Sequence, residues 1–270
     1  MPVYNCEKYI AEAIESVLHQ TFSDFEFIII NDGSTDSTER IVRSYANKDD
    51  RIIFINNAKN SGVTDALNQG LDLCRGEYIA RMDGDDISLP QRFEKQVEYM
   101  DKHPDCGVLG TWFQIFDGQN VPIYYPTQIK AFDLLCGICV CHPTVMLRKS
   151  VMDRYGFKYN QEYKHAEDFA LWSKMVFVTE IHNLPKVLLY YRWTDQNVSM
   201  VHMQEQRAKT ESIKHDILNL LTNDNTLQTR IMDVAGGKTG IILPRWLGRL
   251  CGVFIFNRKK RNIFIHKYFA

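Results

Sequence analysis

The stretch Tyr78-Ile79-Ala80-Arg81-Met82-Asp83-Gly84-Asp85-Asp86 decides how this chain is read. Its first part is rich in β-forming apolar residues and reads as a buried strand; it ends in carboxylates packed around a glycine. In extended backbone Asp83 and Asp85 project to the same side, and Gly84 lets the backbone come close to a ligand. Like charges this near each other repel unless something positive sits between them. A hard divalent cation, Mg²⁺ or Mn²⁺, meets that need, because such ions take one or two protein carboxylates together with substrate phosphate oxygens. An acidic turn that merely caps the next helix is the plainer alternative, and the surrounding sequence decides between them.

Upstream, residues 25–31 form a nearly continuous apolar run, the kind found in strands covered on both faces. The run stops at Asp32-Gly33-Ser34-Thr35-Asp36-Ser37, a turn leading into a helix with Ser34 or Asp36 as its cap. Before it, Ile10, Ala13, Ile14, Val17 and Leu18 recur at helical spacing over residues 7–20. A second strand over residues 51–56 leads through Asn60-Ser61-Gly62 to a helix from Val63. Downstream of the acidic cluster, Pro90 precedes a helix over residues 92–103. Alternating helices and strands predict an α/β fold with a Rossmann-like, doubly wound, mostly parallel sheet. Such sheets bind ligands beyond the carboxyl ends of their strands, so Asp32 and the Asp83–Asp86 cluster are expected to face one pocket. The dinucleotide fingerprint and the P-loop are both absent, so NAD enzymes and P-loop kinases lose support. Beyond Cys106 the pattern becomes mixed, with strands over 108–116 and 144–148, a loop over 117–128, and a helix entered through Glu167-Asp168.

With 270 residues, 45% hydrophobic and 24% charged, the chain has the composition of a soluble globular protein of one large domain or one domain with an extension. Eight cations and no carboxylate follow Asp233, leaving 24 basic against 33 acidic residues before them: the body is acidic and the tail basic. Seven cysteines at irregular spacing, with no secretory signal, point to free thiols in a reducing compartment. Cys136, Cys139, Cys141 and His142 lack the paired spacing of structural zinc and read as small buried residues. No window reaches the ~18 to 20 apolar residues of a membrane span.

Taken together, Pro2-Val3-Tyr4-Asn5, Asn31-Asp32-Gly33-Ser34-Thr35-Asp36, Asn60-Ser61-Gly62, Asp83-Gly84-Asp85-Asp86 with Pro90 and Arg92, and Glu167-Asp168 resemble a family 2 glycosyltransferase of the GT-A fold. They stand in the family's order across residues 1–195. The resemblance implies a catalytic domain over 1–195, with a nucleotide-sugar half (1–105) and a mixed acceptor half (106–195), followed by a helical, basic extension over 196–270. It implies a nucleotide-diphosphate-sugar donor, UDP-linked in most of the family, and inverting transfer to a saccharide or lipid-linked saccharide in cell-surface polysaccharide or glycolipid synthesis. Pro2, Tyr4, Asn5, Asp32, Asn60, Gly62, Asp83 and Gly84 would then bind the nucleotide sugar, Tyr4 stacking on the base and Asp32 accepting from its ring N–H. Asp85 would bind Mg²⁺ or Mn²⁺, with Asp83 as a second candidate ligand, and Asp168 would be the general base. His142, Glu167 and Arg192 fall on the acceptor side in this correspondence, as does Arg148.

Two departures stand out. Thr194 occupies a position where the family commonly has a histidine that assists the metal or diphosphate. The family also has a short apolar strand before its Pro-Val-Tyr-Asn turn, so the expectation is either a true start upstream or a missing first strand, which would leave a gap and unpaired backbone in the sheet. The apolar and cationic residues from Ile241 onward, ending in Arg258-Lys259-Lys260-Arg261, predict an interfacial helix on an anionic membrane surface. The expected location is cytoplasmic, peripheral on the inner face of the membrane. Nucleic acid is disfavoured as a partner by the acidic body. A sugar nucleotidyltransferase would need a glycine-rich basic loop that is absent; a homologue that binds nucleotide sugar without turnover is the alternative.

Overall fold

The computed structural model describes residues 1–116, 120–193, 197 and 201–238. Three strands, β1 (Pro2–Val3), β2 (Phe27–Asn31) and β3 (Ile52–Asn56), pair in parallel, with α1 (Ile10–Leu18), α2 (Thr38–Ala46) and α3 (Val63–Leu73) in the connections. All five residues of β2 are buried, as its unbroken apolar run requires of a strand covered on both faces. α1 turns Ile10, Ala13, Ile14 and Val17 into the core, the stripe that its helical spacing predicts.

The second sheet begins with β4 (Tyr78–Ala80), and also contains β5 (Ile87–Ser88), β6 (Cys106–Phe116), β7 (Val121–Ile123), β8 (Gln128–Ile129), β9 (Met146–Arg148) and β10 (Glu180–Arg192). Its hydrogen-bonded order is β4-β9-β6-β10-β5, with β7 added to β6 and β8 to β10. β6 and β10 run parallel and the remaining pairs are antiparallel, which is the mixed half the sequence predicts. α4 (Arg92–Lys102), α5 (Ala131–Leu135), α6 (Lys149–Tyr155) and α7 (Glu167–Met175) pack around this sheet.

One detail differs from the sequence expectation. The loop expected over 117–128 contains β7, because Val121 and Ile123 pair back onto Ile115 and Phe113. β1 is the Pro2-Val3 of the turn itself: Met1 O accepts from Ile30 N at 3.0 Å and Val3 O from Asp32 N at 2.9 Å. A cavity of about 720 Å³, lined by Phe27 and Ile28 on one side and Tyr78 and Ala80 on the other, lies between the two sheets.

Among the described residues, α8 (Met203–Leu221) and α9 (Asn225–Ala235) follow β10. Asp224 caps α9 by accepting from the amides of Thr226 and Leu227. Ile213, Ile217 and Leu218 of α8 and Leu227 and Ile231 of α9 are buried in one core with Phe132, Leu134, Trp172 and Met175. Burying each such side chain contributes roughly 1.5–3 kcal/mol, so these helices are fastened to the body rather than appended to it. Among the described residues no helix is long and apolar enough to cross a membrane. Thr194 and the predicted interfacial helix beyond Ile241 lie outside the described residues.

Candidate active site

The carboxyl ends of β1 and β2 make a tightly bonded rim. Asn5, in left-handed backbone at φ 48°, receives the Thr35 amide on its side-chain oxygen at 2.8 Å and donates its own amide to Ser34 Oγ at 3.0 Å. Gly33 has φ 70°, and a Cβ there would lie 2.5 Å from the Lys59 carbonyl carbon, so only glycine fits. Buried Asp32 gathers the next loop: its oxygens accept from the Ser61 amide at 3.0 Å, Ser61 Oγ at 2.9 Å and the Gly62 amide at 2.8 Å. Gly62, at φ 96°, thereby starts α3 in a conformation open to few other residues. Asn60 remains exposed, and Tyr4 is 50% exposed, leaving a ring face open at the rim.

The acidic turn abuts this rim, since a Cβ on Gly84 would meet Val3 Cγ1 at 2.9 Å. Val3 pairs with Asn31, next to Asp32, so the two acidic segments predicted to face one pocket meet around this residue. Arg81, buried at 8% exposure, forms a two-pronged ion pair with Asp83, both contacts 2.6 Å long. Fully buried Arg92 donates to the Arg81 carbonyl at 2.7 Å and the Val145 carbonyl at 3.2 Å, fixing the end of β4. From the far end of β10, Arg192 donates its amide to Asp86 Oδ1 at 2.9 Å and Nε to the Asp85 carbonyl at 2.8 Å. Its guanidinium also pairs with Glu12 at 2.6 Å and lies over the Tyr9 ring.

Asp85 is left with no cation within ion-pair distance among the described residues, and burial, then Asp83, pushes its pKa up to about 6. Burial, followed by Asp83 and Asp85, also raises Asp86 far above the usual carboxylate range; its Oδ2 has no hydrogen-bond partner among the described residues. On the facing side, at the start of α7, burial raises both Glu167 and Asp168. Asp168 Oδ1 accepts from the Phe169 amide at 2.7 Å, and the Glu167 Oε2 atom has no partner among the described residues. The positive charge of Arg81 opposes the shift in all four of these carboxylates. One buried arginine is thus the electrostatic centre joining the two ends of the site.

His142, in a short 3₁₀ turn (His142–Thr144), lies with Nε2 2.8 Å from the Tyr159 hydroxyl and its ring edge-on to Trp172. Burial, then Arg81, drives its pKa well below the ordinary histidine value, so it is neutral near pH 7. Of the residues predicted from sequence, the structure gathers Asp83, Gly84, Asp85, Glu167, Asp168 and His142 around Arg81, and Pro2, Tyr4, Asn5, Asp32 and Gly62 along the adjoining rim. Arg192 is placed against the acidic turn rather than with the acceptor-side group. Arg148 donates to the carbonyls of Cys106, Met100 and His103, which is a packing role. Arg81 is not among the residues expected from sequence, although its two-residue spacing from Asp83 just beyond the end of β4 is a usable signal.

The sequence model of the family described as Glycosyl transferase family 2 matches residues 1–156. An uncharacterized glycosyltransferase of Haemophilus influenzae is 31% identical over 245 residues, spanning 85% of this chain and 75% of that one. The O-antigen biosynthesis glycosyltransferase WbnJ of Escherichia coli is 34% identical over 203 residues, spanning 71% and 77%. Among solved structures, Staphylococcus aureus TarS in complex with UDP-GlcNAc superposes with a TM-score of 0.70 at 22% identity over 98% of this chain and 77% of that one. The mannosyltransferase PcManGT of Pyrobaculum calidifontis, in complex with GDP-Man and Mn²⁺, gives 0.63 at 16% identity over 97% and 81%. The fold is accordingly of the GT-A type, and the chain belongs to glycosyl transferase family 2.

Proposed function

We propose that this protein transfers a sugar from a nucleotide-diphosphate sugar, UDP-linked, to a saccharide hydroxyl in surface-polysaccharide or glycolipid synthesis, with inversion at the anomeric carbon. The observation that carries this reading is the grouping of Asp83, Asp85 and Asp168 within the electrostatic reach of buried Arg81, which is ion-paired to Asp83. The names of the relatives and the ligands of the structural neighbours support the donor class and the polysaccharide setting.

The half-exposed ring of Tyr4 offers a stacking face for the base, and Asp32 holds the Asn60-Ser61-Gly62 loop beside it. The acidic turn fits a hard divalent cation. Among the described residues Asp85 has no cationic partner and Oδ2 of Asp86 beside it has no hydrogen-bond partner, while burial and Asp83 hold the Asp85 proton up to about pH 6. Asp85 would hold Mn²⁺ or Mg²⁺, with Asp83 kept in place by Arg81. Bound there, the ion would supply charge stabilisation for the departing diphosphate.

Asp168 removes the acceptor's proton. The acceptor oxygen forms its bond to the anomeric carbon, the bond from that carbon to the diphosphate oxygen breaks, and the proton passes to the Asp168 carboxylate. Burial raises the basicity of that carboxylate above an ordinary aspartate's, which favours proton capture near neutral pH. Glu167 and neutral His142 line the acceptor approach and orient the incoming saccharide.

The test is release of nucleotide diphosphate from a panel of nucleotide sugars, with and without Mn²⁺, for the parent and Asp85→Ala. Metal-dependent release from one donor, lost in the variant, is the expected result. Nucleotide-sugar binding without turnover when saccharide acceptors are supplied would overturn the catalytic reading in favour of a binding homologue.

A further inference from the structure

A second cluster of metal-ligating side chains stands where the loop preceding α7 meets the start of α8. His165, in left-handed backbone at φ 69°, lies face to face with His202, the rings 3.9 Å apart and 8° from parallel. Glu205, in the first turn of α8, brings Oε2 to 3.4 Å from His165 Nε2 and 3.7 Å from His202 Nδ1. One ligand atom from each of the three residues can be chosen so that all lie within 4.8 Å of one another.

Ordinary structural roles explain only part of this. A carboxylate in a first helical turn is favourable to the helix dipole, which accounts for Glu205. Gln206 Nε2 already donates to the His165 carbonyl at 2.9 Å, which accounts for the docking of α8 on the loop. Neither accounts for the imidazole of His165, whose side chain is 10% exposed and whose Nε2 has no hydrogen-bond partner among the described residues. Leaving such a nitrogen unsatisfied costs about 1–3 kcal/mol, so its orientation toward a second histidine and a carboxylate calls for a ligand.

We propose that His165, His202 and Glu205 bind a divalent transition-metal ion of the zinc class. Two imidazoles and one carboxylate are a donor set for such an ion, with a fourth position open to water. Tetrahedral coordination, with bonds of about 2.0–2.2 Å, sets donors roughly 3.4 Å apart. The His165–Glu205 contact already has that spacing; stacked imidazoles aim their lone pairs along parallel planes, so the half-exposed His202 must turn out of the stack to aim Nδ1 at the ion and complete the set. The site shares no residue with the Asp83–Asp85 turn. Its position gives it a purpose, because His165 lies two residues before Glu167 and three before Asp168. A bound ion would lock the segment that carries these carboxylates onto α8.

The experiment uses the full chain, stripped with a chelator and equilibrated with Zn²⁺ alone or Co²⁺ alone, comparing the parent with Asp85→Asn, His202→Ala and Glu205→Gln. Bound metal is counted by elemental analysis, affinity is read by competition with a chromophoric chelator, and the visible spectrum of the Co²⁺ form reports its coordination. The parent and Asp85→Asn are expected to bind one equivalent that gives the spectrum of a four-coordinate site and raises the melting temperature. In His202→Ala the affinity for that equivalent should fall by more than the ~10- to 100-fold that loss of an outer-sphere partner produces. His202 is 40% exposed, so His202→Ala should melt like the parent in chelator. Glu205→Gln, which keeps the shape and removes the charge, provides a second readout and should also weaken the site. Equal Zn²⁺ content and affinity in the parent and His202→Ala, or loss of the ion only in Asp85→Asn, would overturn the proposal.

Discussion

Arg81→Met tests the electrostatic organisation of the site directly, because the methionine keeps most of the side-chain length and removes only the guanidinium. Two unit charges about 4 Å apart attract by ~4 kcal/mol at an effective dielectric near 20, and removing one partner of a buried pair costs ~3–5 kcal/mol. Asp83 is 34% exposed, so water recovers part of the loss. A destabilisation of about 3 kcal/mol is therefore expected, equivalent to roughly 6–12 °C in a chain of this size. The deficit should depend on pH, and its sign follows from Asp85. Its folded-state pKa, about 6, lies above the ordinary 3.8, so the folded protein binds this proton more tightly than the unfolded chain does. Ionised Asp85 is therefore a burden on the fold that is complete above about pH 6 and absent below the unfolded value. Arg81 relieves that burden, so the gap between parent and variant should be widest at pH 8 and narrower at pH 5. Thermal unfolding of both proteins in chelator at the two pH values provides the assay. A gap under about 1 kcal/mol, or one that is equal at both pH values, would refute the assignment of Arg81 as the counter-charge of this cluster.

Four further outcomes follow from the same geometry. Asp168→Asn should lower kcat by ~10²- to 10⁴-fold with the donor KM near that of the parent, and a loss under tenfold in steady-state kinetics would move the base elsewhere. Because burial raises Asp168, the acidic limb of the parent's kcat/KM profile should lie above the ordinary aspartate range, the rate falling as pH drops through it. Mn²⁺ affinity, measured by calorimetry, should be level above about pH 7 and fall about tenfold per unit well below Asp85's pKa, as one proton is displaced per ion; an unchanged affinity at pH 5 would remove Asp85 from the ligand set. Gly84→Ala forces a Cβ to within 2.9 Å of Val3 Cγ1 and 3.2 Å of Cys6 Sγ. It should destabilise by ~1–3 kcal/mol and weaken donor binding, and an unaltered melting temperature would mean that the rim yields without strain.

The parts of the fold that were legible in the sequence are those where one physical requirement dominates. β2 shows as an unbroken apolar run because both of its faces are covered, and α1 as a regular stripe because only one of its faces is. β5 and β8, two residues each, are too short to carry any period. β10 hides for a different reason. Its pairing with β6 shifts register between Leu184 and Val187, around Pro185 and Lys186, and this interruption destroys the alternation by which a strand is read. The acidic turn and the Glu167-Asp168 pair are visible as residue types at element ends. The reach of Arg81's charge to Glu167 and Asp168 is not, since it arises only in the folded chain, and the pairing of His142 with Tyr159 is likewise purely tertiary. The contacts of Arg192 were equally hidden, because it meets Glu12 from 180 residues away.

That last contact also imposes an order in time. The acidic turn is complete in sequence by Asp86, yet the amide that bonds Asp86 and the guanidinium that grips the Asp85 carbonyl belong to Arg192, more than a hundred residues later. At a synthesis rate of about 5–20 residues per second, the ribosome makes the carboxylates on the order of ten seconds before their clamp. During that interval β5 also lacks its partner, because its hydrogen bonds run to Leu189 and Tyr190. The nascent amino-terminal half therefore carries every rim residue while the geometry of the turn is still loose. The turn takes its final geometry only when β10 threads in beside β6, so the fold withholds it until the second sheet has been made.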